Sequence, residues 1–66
     1  MQITANGKPL ELPAGSSVTT LLAALGMDPV RVAVECNRTI IPRSAFAATA
    51  LAAGDQVEIV QFVGGG

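Results

Sequence analysis

The 66-residue chain has no histidine, tryptophan or tyrosine, one cysteine and two phenylalanines. Each shortage removes a class of function. One cysteine cannot close an intramolecular disulfide, and without histidine a structural zinc site lacks its usual donors. Such sparing use of cysteine suits a reducing compartment, so a cytoplasmic location is expected. Two aromatics offer little surface for stacking bases. Four basic residues against five acidic ones leave no cationic footprint for nucleic acid. No apolar run reaches the roughly 18 to 20 residues that span a bilayer. The opening Met1-Gln2-Ile3-Thr4 lacks the charged-then-apolar layout of a signal peptide. Charged residues make up 14% of the chain and stand singly, which leaves little for general acid–base catalysis. The expectation is a partner-dependent protein that is not itself an enzyme and binds no metal, nucleic acid or membrane.

What remains is half hydrophobic and patterned as one small domain, burying about 60% of the surface that its unfolded chain exposes. Met1, Ile3 and Ala5 alternate with polar residues, Asn6-Gly7 suits a type I′ turn, and Lys8 to Leu12 reads as the return strand with Leu10 and Leu12 inward. Pro9 removes a ladder donor and marks an edge. Ser17 is a candidate N-cap. Val18, Leu21, Leu22 and Leu25 form one helical stripe closed by Gly26, with Pro29 beyond it, so the spacing predicts a helix from residue 17 or 18 to 25. Thr19 and Thr20 weaken its intrinsic helicity, and packing on a sheet must hold it. Val30 to Cys36 alternates as a strand, Asn37-Arg38 is a turn, and Thr39-Ile40-Ile41 is a strand stopped by Pro42. Arg43 to Leu51 reads as a short helical turn and crossing loop covering the core with Phe46 and Leu51. After the Ala53-Gly54-Asp55 turn, Gln56 to Val63 forms the last and most apolar strand. The fold class is therefore α+β: a mixed sheet of four to five strands with one main helix on one face. Parallel pairing of the first and last strands at the centre would bury both of their faces.

Residues 1–63 are expected to form the domain and residues 64–66 a flexible glycine tail. Three consecutive glycines, Gly64-Gly65-Gly66, contribute no side chain to a packed sheet. One expectation is that such a tail can reach through a narrow channel into a partner's active site, where an ATP-using enzyme could activate its terminal carboxylate. An inert, frayed terminus is the alternative. Two readings also stand for the last strand. If Val57, Ile59 and Val63 face the core, Val60 and Phe62 face outward as a docking patch beside the tail; alternatively the strand is buried on both faces. Cys36, in phase with Val32 and Val34, reads as a small buried hydrophobe and not as part of a sulfur relay. Arg31, Arg38, Arg43, Asp55 and Glu58 read as solvated charges, and Asn6-Gly7 as a turn former alone.

The chain resembles the small ubiquitin-like β-grasp sulfur carriers, and among them those of thiazole (thiamine) biosynthesis. The resemblance rests on Met1-Gln2-Ile3 with Asn6-Gly7, and on the Leu21-Leu22 helix ending at Gly26. It continues through Val32-Ala33-Val34-Glu35-Cys36-Asn37, Ile40-Ile41-Pro42-Arg43, Gly54-Asp55-Gln56-Val57-Glu58-Ile59 and the terminal glycines. It implies a ubiquitin-like β-grasp fold and a protein co-substrate with one covalent site. In that family an E1-like adenylyltransferase using ATP and magnesium adenylates the terminal carboxylate. A persulfide enzyme then supplies sulfur to form a thiocarboxylate, and thiazole synthase receives the sulfur. Carried onto this sequence, Gly66 is the modified residue, while Gly65, Gly64, Phe62 and Val60 serve partner binding; no cofactor is held by the carrier itself. Many relatives end in two glycines, so trimming to Gly65 would move the reactive carboxyl there. The rivals are the molybdopterin-branch carrier, a ubiquitin-like modifier of target lysines, and a β-grasp interaction module with an inert tail.

Overall fold

A computed structural model describes residues 1–63 of the chain. Its elements are β1 (Gln2–Ala5), β2 (Lys8–Glu11), α1 (Val18–Ala24), β3 (Val32–Cys36), β4 (Thr39–Ile41) and β5 (Gln56–Gln61), with 3₁₀ turns at Pro29–Arg31 and Arg43–Ala45. The five strands form one mixed sheet in the order β2-β1-β5-β3-β4. The expected hairpin is present, and Asn6 and Gly7 carry φ of 50° and 79°, the paired positive values of a type I′ turn. Pro9 lies on β2 at the sheet's edge, where its missing N–H costs no ladder bond.

The helix is held at its start by reciprocal side-chain capping. Ser17 Oγ accepts from the Thr20 N–H at 3.3 Å, and Thr20 Oγ1 accepts from the Ser17 N–H at 3.1 Å. Thr20 thus serves the cap as it weakens the interior. Gly26 ends the helix at φ 69°. Val18, Leu21 and Leu22 are wholly buried against Ile3, Ala5, Val32, Val34, Val57 and Ile59 on one face of the sheet, with Phe46 and Leu51 closing the core as expected. Leu25, the fourth residue of the stripe, is the C-cap just past the helix and is 37% exposed, bordering an open cleft with Ala5 and Leu10 of the first hairpin. Leu10 is only half-buried, while Leu12 is buried.

Three expectations fail, two of them at strand ends. Val30 is not in a strand: Asp28 accepts the Val30 N–H at 3.0 Å and Pro29 opens a 3₁₀ turn, so Val30 faces solvent and β3 begins at Val32. The last strand stops at Gln61, and Val63, expected in the core, is 97% exposed. Its parity is that of Val57 and Ile59, but it lies two residues beyond the end of the strand. The central strands are not buried on both faces either. One helix covers one side only, and on β5 Gln56, Glu58 and Val60 lie open on the other.

β5 is central because it pairs antiparallel with β3 along its length and parallel with β1 at Thr4↔Gln56 and Ala5↔Val57. There β1 ends, and a side chain takes over from the backbone. The Ile59 N–H donates to Asn6 Oδ1 at 2.7 Å, and Asn6 Nδ2 donates to the Ile59 carbonyl at 3.1 Å. Asn6 is therefore more than a turn former, since its amide stands in for the next peptide of β1. The Asn6→Gly variant keeps the positive φ and loses only this clamp. It is expected to destabilise the fold by about 1–3 kcal/mol in urea unfolding, two hydrogen bonds' worth; wild-type stability would show the clamp to be idle.

Candidate functional site

The candidate site is the outward face of the sheet where β5 leads toward the glycines. Residues pointing away from the helix alternate along β5, and Val60 is 60% exposed and Phe62 53% exposed. Of the two readings of this strand, the structure therefore selects the outward-facing pair. Across the sheet Val60 pairs with Ala33, and the exposed Ile40 of β4 pairs with Glu35. The ladder holds the chain one residue past β5: the Phe62 N–H donates to the Arg31 carbonyl at 2.7 Å. Arg31 is itself tied to the preceding 3₁₀ turn, with its Nε 3.8 Å from Asp28 Oδ2 in an exposed ion pair of modest worth. The backbone of the Pro29–Arg31 turn, and not a side chain, thus receives the Phe62 N–H just past β5. Gly64, Gly65 and Gly66, named above as tail and covalent site, lie outside the described residues.

One pair on this face departs from what a sheet surface ordinarily holds. Glu35 and Glu58 stand directly opposite each other on β3 and β5. Like charges in that relation destabilise a sheet. Neither has a cationic partner within 4.0 Å among the described residues. Arg38 borders the same open cleft, with Glu35, Asn37, Gly54, Gln56 and Glu58, but pairs with neither carboxylate. Nothing in the local sequence marks this juxtaposition. It becomes visible only once the β3–β5 register is known.

The far end of the sheet is a structural lock. Asp55, expected as a solvated charge, accepts from Asn37 Nδ2 at 3.0 Å and from the Ala52 N–H at 2.8 Å, while Asn37 Oδ1 accepts the Gln56 N–H at 3.0 Å. These bonds bind the Asn37-Arg38 turn, whose residues both have positive φ, to the start of β5. Cys36 is half-buried here and packs against the core as a partly covered residue, not the fully buried one expected. Burial, then the Asp55 charge and a hydrogen bond with Asp55, push its thiol above the ordinary range. Cys36 pairs with Val57, whereas the tail end of β5 pairs Gln61 with Val32. Four residues of strand, about 13 Å, separate the thiol from that end. A raised, remote thiol is poorly placed and poorly activated for a sulfur relay.

A mixed five-stranded sheet grasping one helix, with the last strand at its centre, is the ubiquitin-like β-grasp fold. The chain belongs to the ThiS family, whose model matches residues 1–66. It is 33% identical over 66 residues to the sulfur carrier protein ThiS of Escherichia coli, covering 100% of each. It is 42% identical to a thiamine biosynthesis protein (ThiS) from Geobacter metallireducens, whose crystal structure it matches with a TM-score of 0.84 over 100% of both chains. A thiazole synthase of Magnetococcus marinus is 42% identical over 66 residues, which are 100% of this chain and 20% of that protein. The chain thus spans about a fifth of the length of that relative.

The thiol supplies a pH test of the far-end lock. The rate of Cys36 alkylation is expected to reach half-maximum at higher pH in the folded chain than in the urea-unfolded chain. By linkage, the fold holds the thiol proton more tightly, so this contribution to stability is fully present below the unfolded thiol's pKa and is lost as pH rises from there through the higher folded pKa. Coincident midpoints would remove the Asp55 and burial effects from the account.

Proposed function

We propose that this protein is a cytoplasmic sulfur carrier of thiamine thiazole biosynthesis, acting as a protein co-substrate and not as an enzyme. The observation that carries the reading is the match of the whole chain to the ThiS family, joined to 33% identity with the Escherichia coli sulfur carrier along 100% of both chains. On this reading the carboxylate of Gly66 attacks the α-phosphorus of ATP on an E1-like adenylyltransferase. Pyrophosphate leaves, with magnesium balancing the phosphate charge in the enzyme's site. A carboxylate is a poor electrophile until its oxygen belongs to a good leaving group, and the acyl-adenylate provides that. The outer sulfur of an enzyme persulfide displaces AMP to give an acyl disulfide, and a second thiol attacks the enzyme-side sulfur of that bond, forming a new disulfide and leaving the thiocarboxylate on Gly66. The carrier then presents this nucleophilic sulfur to thiazole synthase.

Thiazole synthase as the receiving partner is favoured by two relatives of that name. Those from Magnetococcus marinus and Paramagnetospirillum magneticum contain a segment 42% and 44% identical to this chain, each within a protein of which it makes up 20%. A carrier-like segment carried within the same polypeptide as a synthase is held at high effective concentration beside it. The chain's own contribution is a handle. Val60 and Phe62 offer apolar contact on the strand that leads to Gly64, and glycines at 64 and 65 leave a partner free to approach the backbone closely.

Intact-mass measurement after co-expression with the adenylyltransferase and a sulfur source tests the chemistry. The expected gain is that of one oxygen replaced by sulfur, located on the C-terminal glycine by fragmentation. Covalent adducts on other proteins without that gain would indicate a modifier, and exclusive co-purification with a molybdopterin synthase large subunit would indicate the other carrier branch. Phe62→Ala is expected to weaken binding to the adenylyltransferase by about tenfold while leaving the melting curve in place, since Phe62 is half-exposed. Loss of folding in that variant would make Phe62 a core residue instead.

A further inference from the structure

We propose that Asp28 is a positioning residue for the reaction at the C-terminus. By capping the Pro29–Arg31 turn it holds the Arg31 carbonyl where the Phe62 N–H meets it, and so sets the last fixed point on the way to Gly66. The proposal rests on the carrier reading above and adds to it the part of the domain that aims the reactive end.

A continuous series of contacts runs from the helix to that point. The Met27 N–H donates to the Leu22 carbonyl at 2.9 Å and the Gly26 N–H to the Ala23 carbonyl at 3.1 Å, which pins the chain to the end of α1. Met27 is itself partly buried against the core. From this anchor Asp28 Oδ1 accepts the Val30 N–H at 3.0 Å, and Pro29 fixes the entry φ of the turn. The Arg31 N–H closes it on the Asp28 carbonyl at 3.0 Å, and Asp28 Oδ2 lies 3.8 Å from Arg31 Nε. The Arg31 carbonyl then accepts the Phe62 N–H at 2.7 Å, while Val32, next in the chain, is buried as β3 begins.

The bond at Phe62 matters because the strand has so few others there. On the β1 side support ends at Ile59, through the Asn6 amide. On the β3 side hydrogen-bonded pairs alternate. The bonds from Asn37 to Gln56 and from Phe62 to Arg31 fix their phase, which makes Val60 with Ala33 the bonded pair before Phe62. Without the Arg31 contact, the stretch between the last bonded residue of β5 and the Gly66 carboxylate grows from 63–66 to 61–66. Each residue freed must be ordered afresh when the carboxylate is seated, a factor of about five to thirty per residue. Reaction at a bound carboxylate is also sensitive to displacements of about 1 Å. Asp28 itself stands outside the core, with its side chain 52% exposed. Removing that side chain therefore loosens the turn without opening the domain.

The test compares the wild-type chain with Asp28→Ala and Asp28→Asn, the second of which keeps an oxygen to cap the turn and gives up the charge. Hydrogen exchange of the Phe62 amide, measured on the chain alone, reads the Arg31 bond directly. ATP–pyrophosphate exchange with purified adenylyltransferase reads kcat and KM for the carrier. In Asp28→Ala the Phe62 amide is expected to exchange about tenfold faster and kcat to fall about tenfold, with an unchanged melting temperature. KM is expected to stay within about twofold, because docking through the domain sets it and seating of the carboxylate follows. Asp28→Asn is expected to restore both the amide protection and kcat to within about twofold of wild type. Unaltered Phe62 exchange in Asp28→Ala would overturn the proposal and leave the carrier reading intact, as would faster exchange with unaltered kcat. A raised KM at constant kcat, or lost activity that asparagine does not restore, would make Asp28 a contact with the enzyme and overturn it as well. A lowered melting temperature in Asp28→Ala would assign the cap to the fold instead. Failure of the wild-type chain to support any pyrophosphate exchange would overturn the carrier reading, and the positioning role with it, whatever the Phe62 amide shows.

Discussion

The parallel pairing of β1 with β5 is the contact on which the architecture depends. It joins Thr4 to Gln56 and Ala5 to Val57, so nearly the whole chain is looped out between the partners. Closing such a loop costs entropy that the two register pairs alone repay poorly. The deficit is met by burial of Ile3, Ala5, Val57 and Ile59 under the helix, and by the Asn6 amide extending the ladder one step beyond the last backbone pair. With β5 seated beside β1, the β3–β4 hairpin has one edge on which to add, and β2 closes the other side. The helix can cover only one face of the result. A single seven-residue helix on a five-stranded sheet therefore leaves the opposite face free, and the last strand runs through its middle.

This arrangement explains which features were legible in the sequence. Local signals read correctly: the positive-φ pair at Asn6-Gly7, the Ser17 cap, the Gly26 stop, the Pro9 edge and the apolar stripe of Val18, Leu21 and Leu22. Each is decided by residues within a few positions of one another. Alternation misled at Val30 and Val63 because period two states which side a residue takes, not whether anything lies there to cover it. At Val30 the Asp28 cap and Pro29 impose a 3₁₀ turn on an otherwise strand-like pattern. At Val63 the strand has already ended, at Gln61.

The remaining features are relations between distant residues, and the linear pattern holds no trace of them. The Asn6 amide finds Ile59, the Asp55 carboxylate finds Asn37, and Glu35 meets Glu58 only because the β3–β5 register brings them level. Asn6 and Asp55 each occupied a position where a turn former or a solvated charge was a sufficient explanation. The candidate site divided in the same way. Alternation placed Val60 and Phe62 on a common side, and the sheet order then decided that this side is open. Gly64 to Gly66 were legible as composition and family resemblance, and their role rests on those grounds.

The chain's shortage of reactive side chains is consistent with the proposed chemistry once the division of labour is set out. If the reacting group is a backbone carboxylate, no side chain need supply acid, base or nucleophile. A reactive thiol near the tail would compete for the activated acyl group. Cys36 avoids that conflict twice over: it lies at the opposite end of β3, and burial with Asp55 holds its thiol protonated to higher pH. The fold's task reduces to delivering one strand end in a defined direction. β5 has support on both sides to Ile59, through Asn6 and β3, and on one side to Phe62, through the Arg31 carbonyl. The backbone is thus constrained up to two residues before Gly64. A charging enzyme and a sulfur acceptor that both used the open sheet face would have to bind in turn.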